Sequence, residues 1–386
     1  MSDIVSKQKN NGKKGLPGEI RQTLETVTDL LRLQEESDHT VLICGEDSLS
    51  YRQLAADAKK IARGLIRQGL RKGDRILLSV QNSIHVVRAM YGILLAGGVY
   101  VAADMRWPSE RLRLVSEEAG VSWCITDEMI LELLRSDLPE TALPVVREED
   151  EAAVYYTSGS TGTPKGTVLH HRILVSFAKT PDILPEFYDL DCIFTIPVFA
   201  AVFPAVAVFT IPAYENTLVF PTPQEMTSIE QMVDCLVRNR VQCLGATPSF
   251  LLRTLLHPLF ARVIRQQVTN LWVGGEMLKE SDAVRLLSAM ENGVLVNGYG
   301  STETFLFSTS RYEPGKEIYL EGFPEGVKVY LLDRNLKTVS AGDAGEILVG
   351  GISSQYGHYL DPELNQKNIW TIRCMAVFSA SEMQGG

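Results

Sequence analysis

The chain has 386 residues and a formal net charge of −10, with 45% hydrophobic and 22% charged residues. This length exceeds one compact core and predicts two or three packed units, and the composition is ordinary for a globular protein. The negative charge argues against nucleic acid as a partner, because phosphate backbones are bound through clustered lysine and arginine.

The ends and the cysteines carry few signals. Residues 1–25 begin with the polar, basic sequence MSDIVSKQKNNGKKG, which predicts a flexible tail rather than a signal peptide or a membrane anchor. The six cysteines form no CxxC pair and have no metal-ligand spacing. We therefore expect reduced, mostly buried thiols and a cytoplasmic protein.

Helical and strand patterns alternate through the first part of the chain. Helices are predicted at residues 54–65, 84–96 and 108–118, and strands at residues 75–80, 99–103 and 121–126. Alternation of this kind predicts a parallel sheet that is covered by helices on both faces.

The segment YYTSGSTGTPKG, from Tyr155 to Gly166, concentrates hydroxyl groups and glycines around one lysine. Backbone N–H groups, hydroxyls and a lysine together can hold phosphates. It is not a Walker A loop, because Pro164 precedes Lys165 and a glycine follows it. A plain polar surface loop is the alternative interpretation. We predict that Lys165 and its neighbours bind the β- and γ-phosphates of a nucleotide; these neighbours are Thr157, Ser158, Gly159, Ser160, Thr161 and Gly162.

The uncharged segment CIFTIPVFAAVFPAVAVFTIPAY runs from Cys192 to Tyr214 and is long enough to cross a membrane. Three prolines (Pro197, Pro204, Pro212) interrupt it, and no cluster of basic residues flanks it. We interpret it as buried core or pocket wall and expect no membrane contact.

A second αβ unit follows, and then the pattern changes. Helices are predicted at residues 228–239, 248–257 and 280–290, and strands at residues 241–245, 268–273 and 294–297. Beyond Arg311, strand-like runs at residues 317–320, 327–332 and 346–349 predict a small antiparallel unit. The predicted fold is α/β, with two αβ subdomains over residues 26–315, a small β-rich subdomain over 316–370 and an atypical tail over 371–386.

Two motifs of the second unit follow strands that end at the same sheet edge, where α/β proteins bind ligands. They are Gly274-Gly275-Glu276 and the run Asn297-Gly298-Tyr299-Gly300-Ser301-Thr302-Glu303. Tyr299 can stack on adenine, Thr302 can bond the α-phosphate and Glu303 can hold Mg²⁺. Each motif alone is a weak signal, since a lone acidic residue is usually solvated or caps a helix.

Together and in this order, the segments resemble the core motifs of adenylate-forming enzymes, most of all the adenylation domains of nonribosomal peptide synthetases. The matching segments are LSYRQL at 49–54, LAGGVYVAAD at 95–104 with PSERL at 108–112, residues 156–166, residues 297–303, GEILVGG at 345–351 and GHYL at 357–360. The resemblance extends over residues 49–368. The segments at 95–112 and 345–360 favour this branch over acyl-CoA ligases.

The resemblance implies ATP- and Mg²⁺-dependent activation of a carboxylic acid and its transfer to the thiol of a phosphopantetheinyl carrier protein, in secondary-metabolite biosynthesis. It implies catalytic roles for Lys165, Thr302 and Glu303, with Glu303 on the metal. The implied nucleotide contacts further along the chain are Gly275, Glu276, Asn297, Tyr299 and Gly300, and the implied acyl pocket consists of Phe199, Val202, Phe203 and Gly274. His171-Arg172 matches a pair that often follows the phosphate loop, and a structural role for it is an equal alternative.

Two departures from the family pattern modify this expectation. Amino-acid-activating members carry an aspartate that pairs with the substrate ammonium, but Phe194 to Phe209 contains no carboxylate. A buried ammonium without a partner is costly, so an aryl, keto, hydroxy or fatty acid is favoured. The sequence after Ile369 matches neither the ribose-binding aspartate nor the small domain with its catalytic lysine, so we expect impaired activity. An acyl-CoA ligase and an inactive nucleotide-binding remnant are the alternatives.

Overall fold

The computed structural model describes residues 16–158, 164–180, 183–316, 318–340, 343–351, 357–361, 363 and 373–379. The helices are α1 (Gly18–Gln22), α2 (Val27–Gln34), α3 (Tyr51–Arg67), α4 (Ser83–Leu95), α5 (Ser109–Glu118), α6 (Asp127–Arg135), α7 (His171–Leu174), α8 (Ser176–Lys179), α9 (Val202–Thr210), α10 (Ile229–Arg238), α11 (Pro248–Thr254), α12 (Pro258–Gln266) and α13 (Glu280–Ala289). Short 3₁₀ helices cover Pro185–Asp189 and Ile211–Ala213.

The strands form three sheets. They are β1 (Thr40–Cys44), β2 (Asp47–Ser50), β3 (Arg75–Ser79), β4 (Val99–Val101), β5 (Trp123–Thr126), β6 (Glu151–Ser158), β7 (Pro164–His170), β8 (Cys192–Thr195), β9 (Thr217–Phe220), β10 (Cys243–Ala246), β11 (Asn270–Gly274), β12 (Val294–Ser301), β13 (Phe305–Arg311), β14 (Val327–Leu332), β15 (Ala344–Gly351), β16 (Gly357–Tyr359) and β17 (Arg373–Ser379).

Two large sheets carry the fold. The eight-stranded sheet has the order β13-β12-β11-β10-β8-β9-β1-β2, with antiparallel pairs at its two edges and parallel pairs between them. The six-stranded sheet has the order β16-β7-β6-β4-β3-β5, and its four strands from β6 to β5 run parallel. The predicted α/β fold with mostly parallel sheets is therefore confirmed.

The sheets do not follow the sequence order that the alternating pattern suggested. Strands β1 and β2 precede the whole six-stranded sheet in the chain, yet they complete the eight-stranded one through the parallel pair of β1 and β9. Strand β16 falls within the predicted β-rich subdomain but pairs with β7 of the six-stranded sheet. The positions of β1, β2 and β16 in the sheets depend on pairing between segments that are distant in the chain. Local periodicity in the sequence does not predict such pairing.

The third sheet contains β14, β15 and β17. Strands β14 and β15 confirm the predicted strands at 327–332 and 346–349, and β17 extends the sheet into the tail predicted to be atypical. The strand predicted at 317–320 is wrong for residues 318–320, which form no ladder, and residue 317 lies outside the described part. Leu320 is nevertheless buried against Phe307, so its apolar character reflects packing rather than strand pairing.

Helix α3 shows how the first motif is built. The Ser50 hydroxyl accepts a hydrogen bond from the Gln53 N–H (3.1 Å), and the Gln53 side chain accepts one from the Ser50 N–H (2.9 Å). This reciprocal capping box starts the helix. Its buried face meets α4, where a Cβ on Gly92 would lie 2.5 Å from the Ile61 side chain. Glycine at this position allows the two helices to pack closely.

The uncharged segment from Cys192 to Tyr214 folds into β8, α9 and a 3₁₀ turn, and residues 204–214 are all buried. This matches the interpretation as core and pocket wall. Across the described residues, we find no helix with both the length and the apolar character that a membrane crossing requires.

Within residues 16–25, predicted as part of a flexible tail, Leu16, Arg21 and Leu24 are buried; residues 1–15 lie outside the described part. The Arg21 side chain is fully buried. It donates to the carbonyl oxygens of Leu16 (3.0 Å) and Ala213 (2.6 Å), and its guanidinium lies 4.1 Å from the centre of the Tyr214 ring. The sequence did not predict that Arg21 is buried, because the basic N-terminus is typical of an exposed tail.

Replacing this arginine tests the anchor. Arg21→Ala should lower the free energy of unfolding by about 3 kcal/mol, because it removes two buried charge-assisted hydrogen bonds and a cation–π contact. Urea denaturation followed by tryptophan fluorescence measures the change. The matched control is Arg32→Ala. The Arg32 side chain is 67% exposed, and its ion pair with Asp29 is long, with 3.6 Å between Nη1 and Oδ1. The control should change the same free energy by less than about 0.5 kcal/mol. Equal effects of the two substitutions would contradict the anchoring role.

Candidate functional site

The predicted phosphate-binding segment is a hairpin between β6 and β7. Thr157 and Lys165 face each other in its register and are both half-buried. The tip of the loop, with Gly159, Ser160, Thr161 and Gly162, lies outside the described residues, as does the side chain of Ser158. The structure therefore brings Thr157 and Lys165 together at the base of the loop, and the phosphate contacts themselves stay predictions.

The base of this hairpin is held from three sides. A Cβ on Gly166 would lie 2.5 Å from Leu360 and 3.1 Å from the Tyr156 ring, so only glycine fits without displacement. Leu360 donates its backbone N–H to the Gly166 carbonyl (2.9 Å), and the Tyr156 hydroxyl donates to the Val115 carbonyl (3.0 Å). The pKa of Glu118, which accepts from the Gly166 N–H, is raised by burial. The backbone next to Lys165 is therefore closely packed.

The Gly274-Gly275-Glu276 motif ends strand β11 at the carboxyl edge of the eight-stranded sheet. Gly275 has φ +80°, a left-handed conformation that favours glycine. Glu276 is exposed, and its carboxylate accepts hydrogen bonds from the hydroxyl (2.8 Å) and the N–H (3.2 Å) of Ser249. The motif therefore joins the strand end of β11 to the start of α11, on the edge where α/β proteins bind ligands.

The predicted strand at 294–297 is longer than expected. Strand β12 continues to Ser301 and turns through Thr302 and Glu303 into the antiparallel strand β13. A Cβ on Gly300 would lie 2.0 Å from the Phe305 carbonyl oxygen, so the turn requires glycine at this position. The sequence pattern did not reveal β13 as a partner, because the turn at residues 302–304 overlaps the polar motif and gives no separate turn signal.

The predicted nucleotide side chains occupy this hairpin. Asn297 is buried and lies opposite Val273, while the Tyr299 ring contacts the edge of Phe307 with 5.6 Å between the ring centres. Thr302 and Glu303 are half-buried in the turn. Asn297 and Tyr299 lie in β12, and Thr302 and Glu303 follow it. Because β12 pairs in parallel with β11, which ends just before Gly275, the two motifs share one edge as predicted.

Tyr359 is a site residue that sequence reasoning missed. Its hydroxyl donates to Glu303 Oε1 (3.0 Å), and burial together with the Glu303 carboxylate raises the pKa of Tyr359. Strand β16 places Tyr359 opposite Thr167, two residues beyond Lys165. The hydrogen bond therefore links the phosphate hairpin of one sheet to the acidic turn of the other. The GHYL motif was noticed in the sequence, but nothing local indicated that its tyrosine contacts Glu303.

The residues predicted for the acyl pocket separate into two groups. The Phe203 ring covers Gly245 and Gly274, within 3.2 and 3.0 Å of where their Cβ atoms would lie, and it packs on Trp272 with 4.9 Å between the ring centres. Phe199 instead packs on Phe220 and is half-buried, as is Val202. The structure thus brings Phe203 and Gly274 together and places Phe199 against another wall.

The donor set at the acidic turn restricts the kind of metal site that fits. Within the part of the chain that the structure describes, no three His, Cys, Asp or Glu side chains cluster in a way that could hold a metal ion. Glu303 offers a single carboxylate, with the Thr302 hydroxyl beside it in sequence. Magnesium usually binds through one or two carboxylates plus substrate phosphates, so these residues fit an ion that arrives with a nucleotide.

His171 has a structural environment rather than a catalytic one. Its side chain is fully buried, and neither ring nitrogen has a hydrogen-bond partner among the described residues. Burial lowers the pKa of His171 to about 4, which keeps the ring neutral at physiological pH. Of the two interpretations of the His-Arg pair, this environment favours the structural one.

Comparisons with known proteins identify the family of this chain. A family model described as "AMP-binding enzyme" matches residues 31–359, which is most of the chain. The chain belongs to the AMP-binding enzyme family. The family assignment confirms the predicted class of carboxylate-adenylating ligases.

Curated relatives of this AMP-binding enzyme are much longer than the chain. Gramicidin S synthase 2 of Brevibacillus brevis is 26% identical over 86% of the chain, which spans 8% of that protein. Tyrocidine synthase 3 of Brevibacillus parabrevis is 28% identical over 94% of the chain, which spans 6% of it. These matches confirm the resemblance to nonribosomal peptide synthetases.

Solved structures share the fold. The N-terminal subdomain of Klebsiella oxytoca NpsA, in complex with 3-hydroxyanthranilyl-AMSN, has a TM-score of 0.80 at 19% identity and covers 90% of this chain and 91% of its own. An artificial fusion of NpsA and ThdA, an adenylation–PCP di-domain from the same organism, has a TM-score of 0.78 at 20% identity. It covers 89% of this chain and 72% of its own.

The hairpin at Gly300 gives a test of the site geometry in this AMP-binding enzyme. Gly300→Ala should lower the melting temperature by several degrees and weaken nucleotide binding, because a Cβ at this position collides with the Phe305 backbone. Gly350→Ala is the matched control in a strand, since its Cβ would meet the Tyr330 ring at an acceptable 3.4 Å. Differential scanning calorimetry and ATP titration measure both effects. Equal behaviour of the two variants would contradict the close approach at Gly300.

The buried histidine predicts an acid-sensitive fold. The unfolded chain takes up a proton near pH 6.5, whereas His171 in the folded enzyme does so only near pH 4. The unfolded state is therefore favoured as the pH falls through this window, by roughly 3 kcal/mol in total. His171→Met should remove this part of the pH dependence, while His170→Met, at the partly exposed neighbour, should retain it. Urea titrations at pH 7, 6, 5 and 4 measure the slope, and an unchanged slope in His171→Met would refute the assignment.

Proposed function

We propose that this chain activates a carboxylic acid with ATP and Mg²⁺, forming an acyl-adenylate and releasing pyrophosphate. The observation that carries the proposal is the hydrogen bond from Tyr359 to Glu303. It sets an acidic turn that suits a nucleotide-bound cation beside the hairpin of Lys165. A cation and an anion-binding loop at the joined edges of two sheets are what a triphosphate requires.

The residues then have distinct roles in the reaction. A carboxylate oxygen attacks the α-phosphorus while the bond from that phosphorus to the pyrophosphate oxygen breaks, and no proton is transferred. Lys165 and the hydroxyls around Thr157 orient the leaving pyrophosphate, and the Thr302 hydroxyl donates to the α-phosphate. Tyr299 positions the adenine. The other residues that contact the nucleotide are Asn297, Gly275, Glu276 and Gly300. Glu303 would hold Mg²⁺, which supplies charge neutralisation between the approaching anions.

The acid is proposed to lack an α-ammonium group. No carboxylate lies between Phe194 and Phe209 to pair with one, and an unpaired buried charge costs several kcal/mol or more. Aryl, keto, hydroxy and fatty acids avoid this cost. The similar NpsA subdomain has been solved in complex with 3-hydroxyanthranilyl-, 3-hydroxybenzoyl- and anthranilyl-AMSN, which supports an aryl or similar acid as a starting point.

The acceptor is proposed to be the phosphopantetheinyl thiol of a carrier protein in the cytoplasm. The relatives are peptide synthetases, and one structural neighbour is an adenylation–PCP fusion. An acyl-CoA ligase is the second candidate, because Pro197-Val198-Phe199-Ala200 resembles the Pro-x-aromatic-His run of such ligases, with Ala200 in place of histidine. Transfer of the acyl group to coenzyme A rather than to a carrier protein would decide for the ligase.

The first test is carboxylate-dependent ATP–pyrophosphate exchange with pools of amino, aryl, keto and fatty acids. Exchange should occur with a pool that lacks α-amino groups. Lys165→Ala should reduce it by about 100-fold or more, as expected for the loss of a transition-state contact. Lys337→Ala, which removes an exposed lysine beside the third sheet, is the control and should leave exchange unchanged.

A binding measurement separates the site from the chemistry. Calorimetric titration with ATP and Mg²⁺ should show at least about tenfold weaker affinity in the double variant Tyr299→Ala, Glu303→Ala. Unchanged affinity in this variant would overturn the proposed nucleotide site. Intact ATP binding without exchange for any acid would favour the inactive nucleotide-binding alternative.

A further inference from the structure

The turn at residues 302–304 joins β12 to β13 and carries two residues of the proposed site. These two, Thr302 and Glu303, are half-buried, whereas Thr304, the third residue of the turn, is fully buried. One residue of the turn therefore faces the core, while the other two stay accessible to a ligand.

The Thr304 hydroxyl closes this turn through hydrogen bonds to both of its ends. It accepts one from the Ser301 N–H (2.9 Å), and its oxygen lies 3.1 Å from the Ser301 hydroxyl oxygen. In the other direction, the Thr304 N–H donates to the Ser301 hydroxyl oxygen (3.3 Å). The Thr304 hydroxyl also donates to the Phe305 carbonyl (3.2 Å). Each side chain thus bonds the backbone of the other, as in the capping box that starts a helix.

The backbone at Phe305 shows that contacts outside the turn also hold it. Phe305 has φ +60°, a left-handed conformation that is costly for a residue with a bulky side chain. Its side chain is only 1% exposed and belongs to the main hydrophobic core. Strained residues of this kind persist where the surrounding structure fixes them, and they cluster at ligand sites. The turn is therefore held by a hydroxyl network on one side and by a buried ring on the other.

We propose that Thr304 is a positioning residue, whose hydroxyl holds the Thr302 hydroxyl and the Glu303 carboxylate in place before the nucleotide binds. This inference rests on the proposed function. A turn that is ordered in advance spares the nucleotide the entropic cost of ordering it. Without the Thr304 hydroxyl, a smaller fraction of the chains has a turn that is competent to bind ATP, so the apparent affinity falls by that fraction. Saturating ATP restores the ordered turn, and the maximal rate then changes little.

The test replaces Thr304 by valine, which has a similar shape and lacks the hydroxyl. In Thr304→Val, the dissociation constant for ATP with Mg²⁺, measured by calorimetry, and the KM for ATP in pyrophosphate exchange should both rise about tenfold, while the maximal rate stays within about twofold. Thr304→Ser keeps the hydroxyl and should restore the affinity to within about threefold. A lower maximal rate at unchanged KM, or no rescue by serine, would overturn the proposal.

Thr309→Val is the matched control in the same strand. Thr309 is also buried, and its hydroxyl donates to the Ile183 carbonyl (2.9 Å), away from the turn. Both valine variants should lower the melting temperature by a few degrees, since each loses a buried hydrogen bond. Only Thr304→Val should weaken ATP binding. An equal loss of ATP affinity in the two variants would indicate a purely structural effect and contradict the positioning role.

Hydrogen exchange on the unaltered protein tests the same point without a substitution. The amides of Ser301 and Thr304 donate to side-chain oxygens within the turn, so they should exchange at least about tenfold more slowly than unprotected amides before ATP is added. Addition of ATP and Mg²⁺ should change their exchange little. Amides that become protected only when the nucleotide is bound would refute the advance ordering of the turn.

The positioning role and the proposed function fail separately. Weaker ATP binding in Thr304→Val, without exchange for any acid, keeps the positioning role and rejects adenylation. Exchange by the unaltered chain, with equal ATP affinity in Thr304→Val, keeps adenylation and rejects the positioning role.

Discussion

The hydrogen bond between the Tyr359 hydroxyl and Glu303 is the contact on which the proposed site depends. Strand β16 adds only three residues to the six-stranded sheet, yet it carries this tyrosine to the acidic turn of the eight-stranded sheet. The bond therefore connects the edges of two sheets that also share a hydrophobic core. A partly buried hydroxyl that donates to a carboxylate is a strong and directional link, and it also orients the carboxylate for a cation. It joins the turn that carries Glu303 to the strand that pairs with the hairpin of Lys165.

Close backbone approach is the second constraint, and glycines mark where it occurs. At Gly274 a side chain would meet the Gly298 carbonyl oxygen at 2.9 Å as well as the Phe203 ring, so strand pairing and ring packing both exclude a larger residue. The same ring reaches Gly245 on the next strand. A large aromatic ring can therefore pack directly on the two strands.

Much of the fold was predictable because it depends on residues that are close together in the sequence. The helix from Tyr51 follows from its capping residues and apolar spacing, and the motifs after β11 and β12 follow from strand ends that share an edge. What could not be predicted depends on pairs distant in the chain. Tyr359 and Glu303 are 56 positions apart, and Arg21 is bonded to a carbonyl 192 positions away. Local periodicity contains no information about such distant partners. The basic N-terminus therefore predicted an exposed tail, and the sequence around Tyr359 predicted no contact for its side chain.

The buried Arg21 also bears on where this fold begins. The match to the family model starts at residue 31, ten positions beyond this arginine. A recombinant fragment cut at that point would lack the guanidinium that covers Tyr214, and it would expose the carbonyl of Ala213 and the ring beside it. A family model includes the segments that relatives share. The boundary of a stable folded unit depends instead on which segments are needed to cover its hydrophobic core. Here the family-model match leaves out one helix, Gly18–Gln22, that packs on this core.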